Sequence, residues 1–166
     1  LWLAQVGYER LEETADPELA ISRALKTYRQ KGYSQNWVNQ RLKSIEIRKS
    51  LTDEWEKRGV KEGIEFAILT DEITQAWTGL TTKEYKKLKG IKKENLRDNM
   101  TNLELVLNML AETATTEISD KQEPKTLNEN KSVAREGGSV AGNARREIEM
   151  KTGKNVITKS KPKMLK

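Results

Sequence analysis

Three short runs place acidic side chains where metal-assisted chemistry would use them. Glu149-Met150-Lys151 has the Glu-x-Lys spacing of some metal-dependent nucleases. Asp53-Glu54 and Asp71-Glu72 supply oxygen ligands suited to a hard cation. All three also fit the polar faces of helices, and no strand framework accompanies them. The chain has no cysteine and no histidine. That removes disulfides, thiolate zinc sites and thiol catalysis, along with the usual general base. The expectation is a chain that is not an enzyme, with no catalytic residue, no metal and no cofactor.

The second chemistry is the recognition of phosphate. The net charge is +6, and it is concentrated. Residues 83–97 hold seven basic and two acidic side chains, residues 151–166 hold six lysines and no acid, and the rest of the chain is net acidic. A local excess of this kind is the footprint of a polyanion-binding patch. The candidate contacts are Thr81, Thr82, Lys83, Lys86, Lys87, Lys89, Lys92, Lys93 and Arg97. The threonines and Lys83 open a helix, where free backbone N–H groups suit an anion, and Tyr85 can stack on a base or staple the helix start. Residues 70–90 also allow a helix-turn-helix with Gly79 in the turn. The plainer alternative is a helical corner with a solvated lysine face. The partner expected on this ground is a nucleic acid.

These side chains must be carried by helices. Hydrophobic residues make up 35% and charged residues 34% of 166, which is poor in apolar side chains for a single large core. Asp16-Pro17 is a helix start, and Gly32 a stop. Ser34 caps a longer helix toward Arg58, apolar on two sides or else broken near Ser50, and in either case placed as the central element. The spacing of Phe66, Leu69, Ile73 and Trp77 predicts another helix, broken by Gly79. Thr81 with Glu84, Thr101 with Glu104 and Thr126 with Glu129 each read as a capping box. After the second of these, Leu103, Val106, Leu107, Leu110, Ala114 and Ile118 form an apolar stripe. The four tryptophans read as core, with Trp77 the best candidate for exposure.

The expected fold is all-α, an irregular helical bundle with a separable C-terminal helix and a basic tail. Residues 1–15 read as the remnant of an upstream helix, 16–118 as the helical core, 119–126 as a linker, 127–152 as the C-terminal helix and 153–166 as the tail. Leu1-Trp2-Leu3-Ala4 reads as mid-helix, so the natural N-terminus is expected upstream. Asn155 to Thr158 allow a short strand. Val133, Gly137, Val140, Ala144 and Ile148 make a glycine-punctuated face, and Gly137, Gly138 and Gly142 imply either close packing, within the chain or against a second copy in a homo-oligomer, or a helix broken in the middle. No apolar run is long enough for a membrane span, so a cytoplasmic protein is expected.

Several ordered blocks resemble one family. They include Gly32-Tyr33-Ser34 with Trp37, Gln40-Arg41-Leu42-Lys43-Ser44-Ile45-Glu46 and Leu51-Thr52-Asp53-Glu54-Trp55. Leu69-Thr70-Asp71-Glu72-Ile73, Thr81-Thr82-Lys83-Glu84-Tyr85-Lys86 and Glu94-Asn95-Leu96-Arg97-Asp98-Asn99-Met100-Thr101 follow. Gly137-Gly138, Ala144-Arg145 and Lys151-Thr152-Gly153-Lys154 close the match. In these the chain resembles the C-terminal part of DNA-damage-inducible protein D, a family related to phage proteins of the Bro and antirepressor type. The resemblance implies a bacterial protein of the SOS response that modulates recombination, acting on DNA or on a filament of the recombinase RecA on DNA, with an N-terminal DNA-binding domain upstream. It supplies no catalytic residues. The alternative is a protein-interaction or oligomerisation module whose DNA binding lies in that upstream domain.

Overall fold

The computed structural model describes residues 1–162. Among them are seven α-helices and no β-strand: α1 (Trp2–Ala15), α2 (Pro17–Gln30), α3 (Gln35–Lys57), α4 (Ile64–Thr78), α5 (Thr82–Leu88), α6 (Asn102–Gln122) and α7 (Leu127–Thr152). A 3-10 turn at Arg97–Asn99 precedes α6. The fold is all-α, and residues 155–158 form no strand but an irregular segment with bends.

Local chemistry sets most helix boundaries. The Asp16 side chain accepts the Glu18 N–H at 3.1 Å and Pro17 opens α2. Thr81, Thr101 and Thr126 each accept the N–H of the glutamate three residues on, while that glutamate reaches back to the threonine N–H. Gly79 ends α4 in the left-handed region at φ 80°.

The chain divides into two compact units. The first spans Leu1–Val38. In it α1 packs on α2, and Arg23 of α2 pairs with Glu9 at 3.3 Å and with Glu13. Tyr33 stacks on Trp37 at 4.2 Å, and Tyr28 meets both rings edge-on. Trp2 is exposed, contrary to its expected place in a core.

The second unit, Asn39–Pro162, holds the rest of α3, helices α4 to α7, and the segment after α7. Its centre is built from Leu51 and Trp55 of α3, Leu69, Ile73 and Trp77 of α4, Tyr85 of α5 and Leu105 of α6, all at most 2% exposed. Trp77, the tryptophan expected to be most exposed, is fully buried and meets Tyr85 edge-on at 6.0 Å.

The last helix is not set apart. It packs along both α4 and α6, and its glycines are the reason. A Cβ on Gly137 would strike Thr115 of α6, with its Cα at 2.6 Å; one on Gly138 would lie 2.7 Å from the Ile73 carbonyl oxygen of α4; one on Gly142 would lie 2.6 Å from that of Ala76. The backbones therefore touch where any side chain would hold them apart. The face expected to pack either within the chain or on a second copy is largely used inside the chain: Val133 and Gly137 are buried, Ala144 and Ile148 half-buried, and Val140 is exposed. The linker is also shorter than expected, because α6 continues to Gln122 and leaves four residues before α7. Beyond α7 the chain is anchored rather than loose: Val156 and Pro162 are buried, and the Val156 N–H donates to Glu149 at 2.9 Å. Residues 163–166 of the basic tail lie outside the described residues.

Helix α6 inverts its sequence pattern. Leu103, Val106 and Leu110 are 40%, 40% and 38% exposed. The inward face instead carries Glu104, Asn108, Glu112, Thr115 and Ser119 beside Leu105, Leu107 and Ala111. Each buried charge there has a partner on another element. Glu104 accepts from Tyr85 and Lys89, Glu112 from Arg48 and Arg97, and Glu54 of α3 accepts from Ser119 at 2.9 Å.

Candidate nucleic-acid interface

The basic block folds into two environments, decided by the turn of α5. Tyr85 and Lys89 are four residues apart, so they share the inward face. The Tyr85 hydroxyl donates to Glu104 at 2.7 Å and the Lys89 ammonium donates to the other oxygen of the same carboxylate at 2.7 Å. Both charged side chains of that pair are fully buried. Lys89 also donates to the Ser160 carbonyl, tying the segment after α7 to α5. Burial and the adjacent Glu104 charge push the Tyr85 phenol far above its usual pKa. Lys89 is thus a structural residue; its ammonium is not available to a phosphate, because the one carboxylate that can compensate it lies within the core.

Lys83 and Lys87 are exposed and Lys86 half-exposed on the outer side of α5. The chain then leaves α5 through Gly90, at φ 68°, where the Ile91 N–H bonds back to the Lys86 carbonyl. This turn delivers exposed Lys92 and Lys93 next to the helix. Among the described residues, none of these five lysines forms an ion pair, in contrast to Lys89 and Arg97.

Four of them, Lys83, Lys86, Lys87 and Lys92, line a groove of about 1400 Å³ between α4 and α5. Phe66, Ala67 and Ile91 supply apolar lining. Arg48 brings the cations to five, against the two carboxylates Glu62 and Asp71. The Arg48 guanidinium sits 5.0 Å from the Trp55 ring centre and donates to Thr70 at 2.6 Å and Glu112 at 3.3 Å. Burial lowers its pKa, with Glu112 opposing that shift and Arg97 adding to it.

The start of α5 offers fewer free backbone donors than expected from sequence. Three of its N–H groups are already taken: Thr82 donates to Asp71 at 2.6 Å, Thr81 to Glu84 at 2.8 Å, and Glu84 to the Thr81 hydroxyl at 3.1 Å. Asp71 also accepts from Gln75 at 2.8 Å, so it clamps the α4–α5 corner in place. Thr81 and Thr82 shape the groove wall without offering backbone donors to a ligand.

A second, smaller pocket of about 330 Å³ adjoins the groove and shares Thr70, Thr82 and Lys86 with it. Arg97, Asn108 and Lys93 are also in its polar lining, together with Thr74, Glu94 and Asn95. Arg97 donates to Glu112, so two guanidiniums, Arg48 and Arg97, share one carboxylate. Sequence reasoning missed Arg48 and Asn108, which stand far from the basic block in the chain.

The metal-nuclease candidates do not assemble. Glu149 is engaged through both oxygens, by Arg145 at 2.7 Å and the Val156 N–H at 2.9 Å. Among the described residues, no group of three or more acidic side chains is placed to hold a metal ion.

The family model for the DinD C-terminal domain matches residues 34–162, well over half of the chain. The chain belongs to the DinD C-terminal domain family. The match takes in α3 to α7 and the anchored segment after α7, and so covers both the groove and the smaller pocket of this DinD domain. Searches of curated proteins and of solved structures each found no match. No helix of the DinD domain among the described residues is long and apolar enough to cross a membrane.

Proposed function

We propose that this chain is a non-catalytic module of the DNA-damage response that binds nucleic acid through its phosphates, in the groove between α4 and α5. The observation that carries the reading is the set Lys83, Lys86, Lys87, Lys92 and Lys93, which no carboxylate neutralises among the described residues. Elsewhere in the second unit several charged side chains pair across elements, as in Arg41–Asp98, Arg135–Glu72 and Lys57–Asp120. Leaving five cations unpaired on one corner favours an external polyanion. The apolar lining of Phe66 and Ile91 beside the lysines suits an unstacked base, which favours single strands over duplex. In this reading the module acts on DNA, or on DNA held by the recombinase, to modulate recombination in a cytoplasmic, nucleoid-associated setting.

The test is binding of the purified chain to single- and double-stranded oligonucleotides across a salt series. The expected result is affinity that falls steeply with salt and falls again in a Lys83→Gln/Lys87→Gln/Lys92→Gln variant. Absence of binding to either form at low salt refutes it. A second reading, contact with the RecA filament as a protein partner, draws on the exposed Leu103, Val106 and Leu110. It predicts affinity for the filament with none for naked DNA.

A further inference from the structure

The smaller pocket beside the groove carries an imbalance that the lysine surface does not explain. Asn108 of α6 is 4% exposed, lines this pocket, and its amide nitrogen has no hydrogen-bond partner. Two further lining residues carry buried, unpartnered groups: the Thr82 hydroxyl and the Arg97 Nε–H. Buried donors are almost always satisfied in folded proteins, so three around one cavity point to acceptors supplied from outside the chain. Charge points the same way. Lys86, Lys93 and Arg97 face a single lining carboxylate, Glu94, and Glu112 behind Arg97 is already shared with Arg48. Neutral water would satisfy the donors without answering the excess of cations.

We infer that this pocket is a seat for one phosphate group, held by Arg97, Asn108 and Thr82 with Lys86 and Lys93 at its edge. A tetrahedral oxyanion presents acceptors in several directions at once, which suits a guanidinium N–H, an amide and a hydroxyl supplied by different elements. The seat is separate in its chemistry from the lysine groove: its donors are buried and directional, whereas those of the groove are exposed ammonium groups. It shares Thr70, Thr82 and Lys86 with the groove, so a strand lying there can place an end in the seat. The source of the phosphate is therefore a strand terminus or the free anion. The inference rests on the proposed nucleic-acid reading only for the first of these.

The experiment uses the whole chain. Its thermal unfolding midpoint is followed as inorganic phosphate is added at constant ionic strength, with chloride as the reference anion. The expected result is a saturating upward shift specific to phosphate. In Asn108→Leu, close in size and lacking the amide, the shift disappears; Thr82→Val serves the same purpose if Asn108→Leu does not fold. Lys83→Gln/Lys87→Gln, confined to the groove, keeps the shift while weakening oligonucleotide binding. Single strands with and without a 5′-phosphate then identify the source. A preference for the phosphorylated end on the order of tenfold, the worth of one charge-assisted hydrogen bond, assigns it to a strand terminus. A phosphate shift without that preference assigns it to the free anion. No phosphate-specific shift in the parent chain, or an equal shift in Asn108→Leu and Thr82→Val, overturns the inference. Neither result bears on salt-dependent binding in the groove.

Discussion

Replacing Gly138 by alanine sets two physical effects against each other and gives opposite signs for the outcome. Alanine is favoured over glycine in a helix interior by about 1 kcal/mol, so propensity alone stabilises α7. Packing opposes this. The added methyl lands 2.6 Å from the Ala76 methyl and 2.7 Å from the Ile73 carbonyl oxygen. Neither neighbour can swing aside, because one is a Cβ and the other is backbone of α4. Restoring ordinary contact requires α7 to retreat by roughly 1 Å, and forced overpacking of this kind costs about 1–3 kcal/mol, occasionally more. The retreat also loosens Gly142, whose α-carbon face rests on the same helix, with a Cβ position 2.6 Å from the Ala76 carbonyl oxygen. With the cost near the upper end for so rigid a site, the net expectation is a loss of about 2 kcal/mol for Gly138→Ala, with a similar loss for Gly142→Ala. Urea unfolding of the whole chain followed by far-ultraviolet circular dichroism measures it. The exposed Ser139 on the same helix gives the control, since Ser139→Ala changes propensity without meeting α4. A lower midpoint in both glycine variants, with a neutral or raised one in the control, is the expected pattern. A Gly138→Ala chain as stable as the parent or more so would refute the close approach of α7 to α4.

Three other perturbations probe the frame around the groove. Lys89→Met leaves Glu104 charged and fully buried, and should destabilise by about 3–5 kcal/mol, whereas Lys89→Met/Glu104→Gln recovers much of that loss; equal stability of the single and double variants in urea would contradict a buried ion pair. Thr126→Ala removes the hydroxyl that receives the Glu129 N–H at 3.2 Å and should cost about 1 kcal/mol, seen as an earlier melting of helix signal. Glu84 offers a pH test. The Thr81 N–H and then the Thr81 hydroxyl hold its carboxyl below 4.5, so its contribution is present above 4.5 and is lost as the pH falls through the depressed folded value. Glu84→Gln should therefore flatten part of the acid limb of the stability profile and leave neutral pH little changed; an unchanged acid limb would remove Glu84 from the cap.

What could be read in the sequence was what depends on neighbours three or four residues apart. The capping boxes at Thr81, Thr101 and Thr126 are complete in the chain itself, so they fixed three helix starts correctly. The pairing of the glycines with close packing was also legible, because a helix holding Gly137, Gly138 and Gly142 must gain something for its lost propensity. The partner was not, since nothing local says that Thr115 and Ala76 would meet them. Helix α6 failed for a related reason. Apolar periodicity assumes an apolar core, and here the inward face includes Glu104 and Glu112, acceptable only because Lys89, Arg48 and Arg97 arrive from other elements to compensate them. A signal was present in the regular spacing of Glu104, Asn108, Glu112, Thr115 and Ser119, which mark a second stripe beside the apolar one.

The same logic sorts the basic block. Counting charges along residues 83–97 treats every cation alike, but helix phase divides them. Lys89 falls in phase with Tyr85 and goes inward to Glu104, while Lys83, Lys86 and Lys87 stay out of that phase and remain unpaired among the described residues. Arg97 takes a third course, half-buried beside Glu112 with its Nε–H unpartnered. A surface that only solubilised the protein would need none of this sorting, because exposed lysines anywhere would serve. Here one lysine is spent in the core to fasten α5 onto α6 and the segment after α7, and that fastening holds the outward lysines over the groove. Lys89→Met/Glu104→Gln, if it restores stability but not oligonucleotide affinity, separates the two roles: the chain then folds without the pair, and the groove is what the pair was positioning.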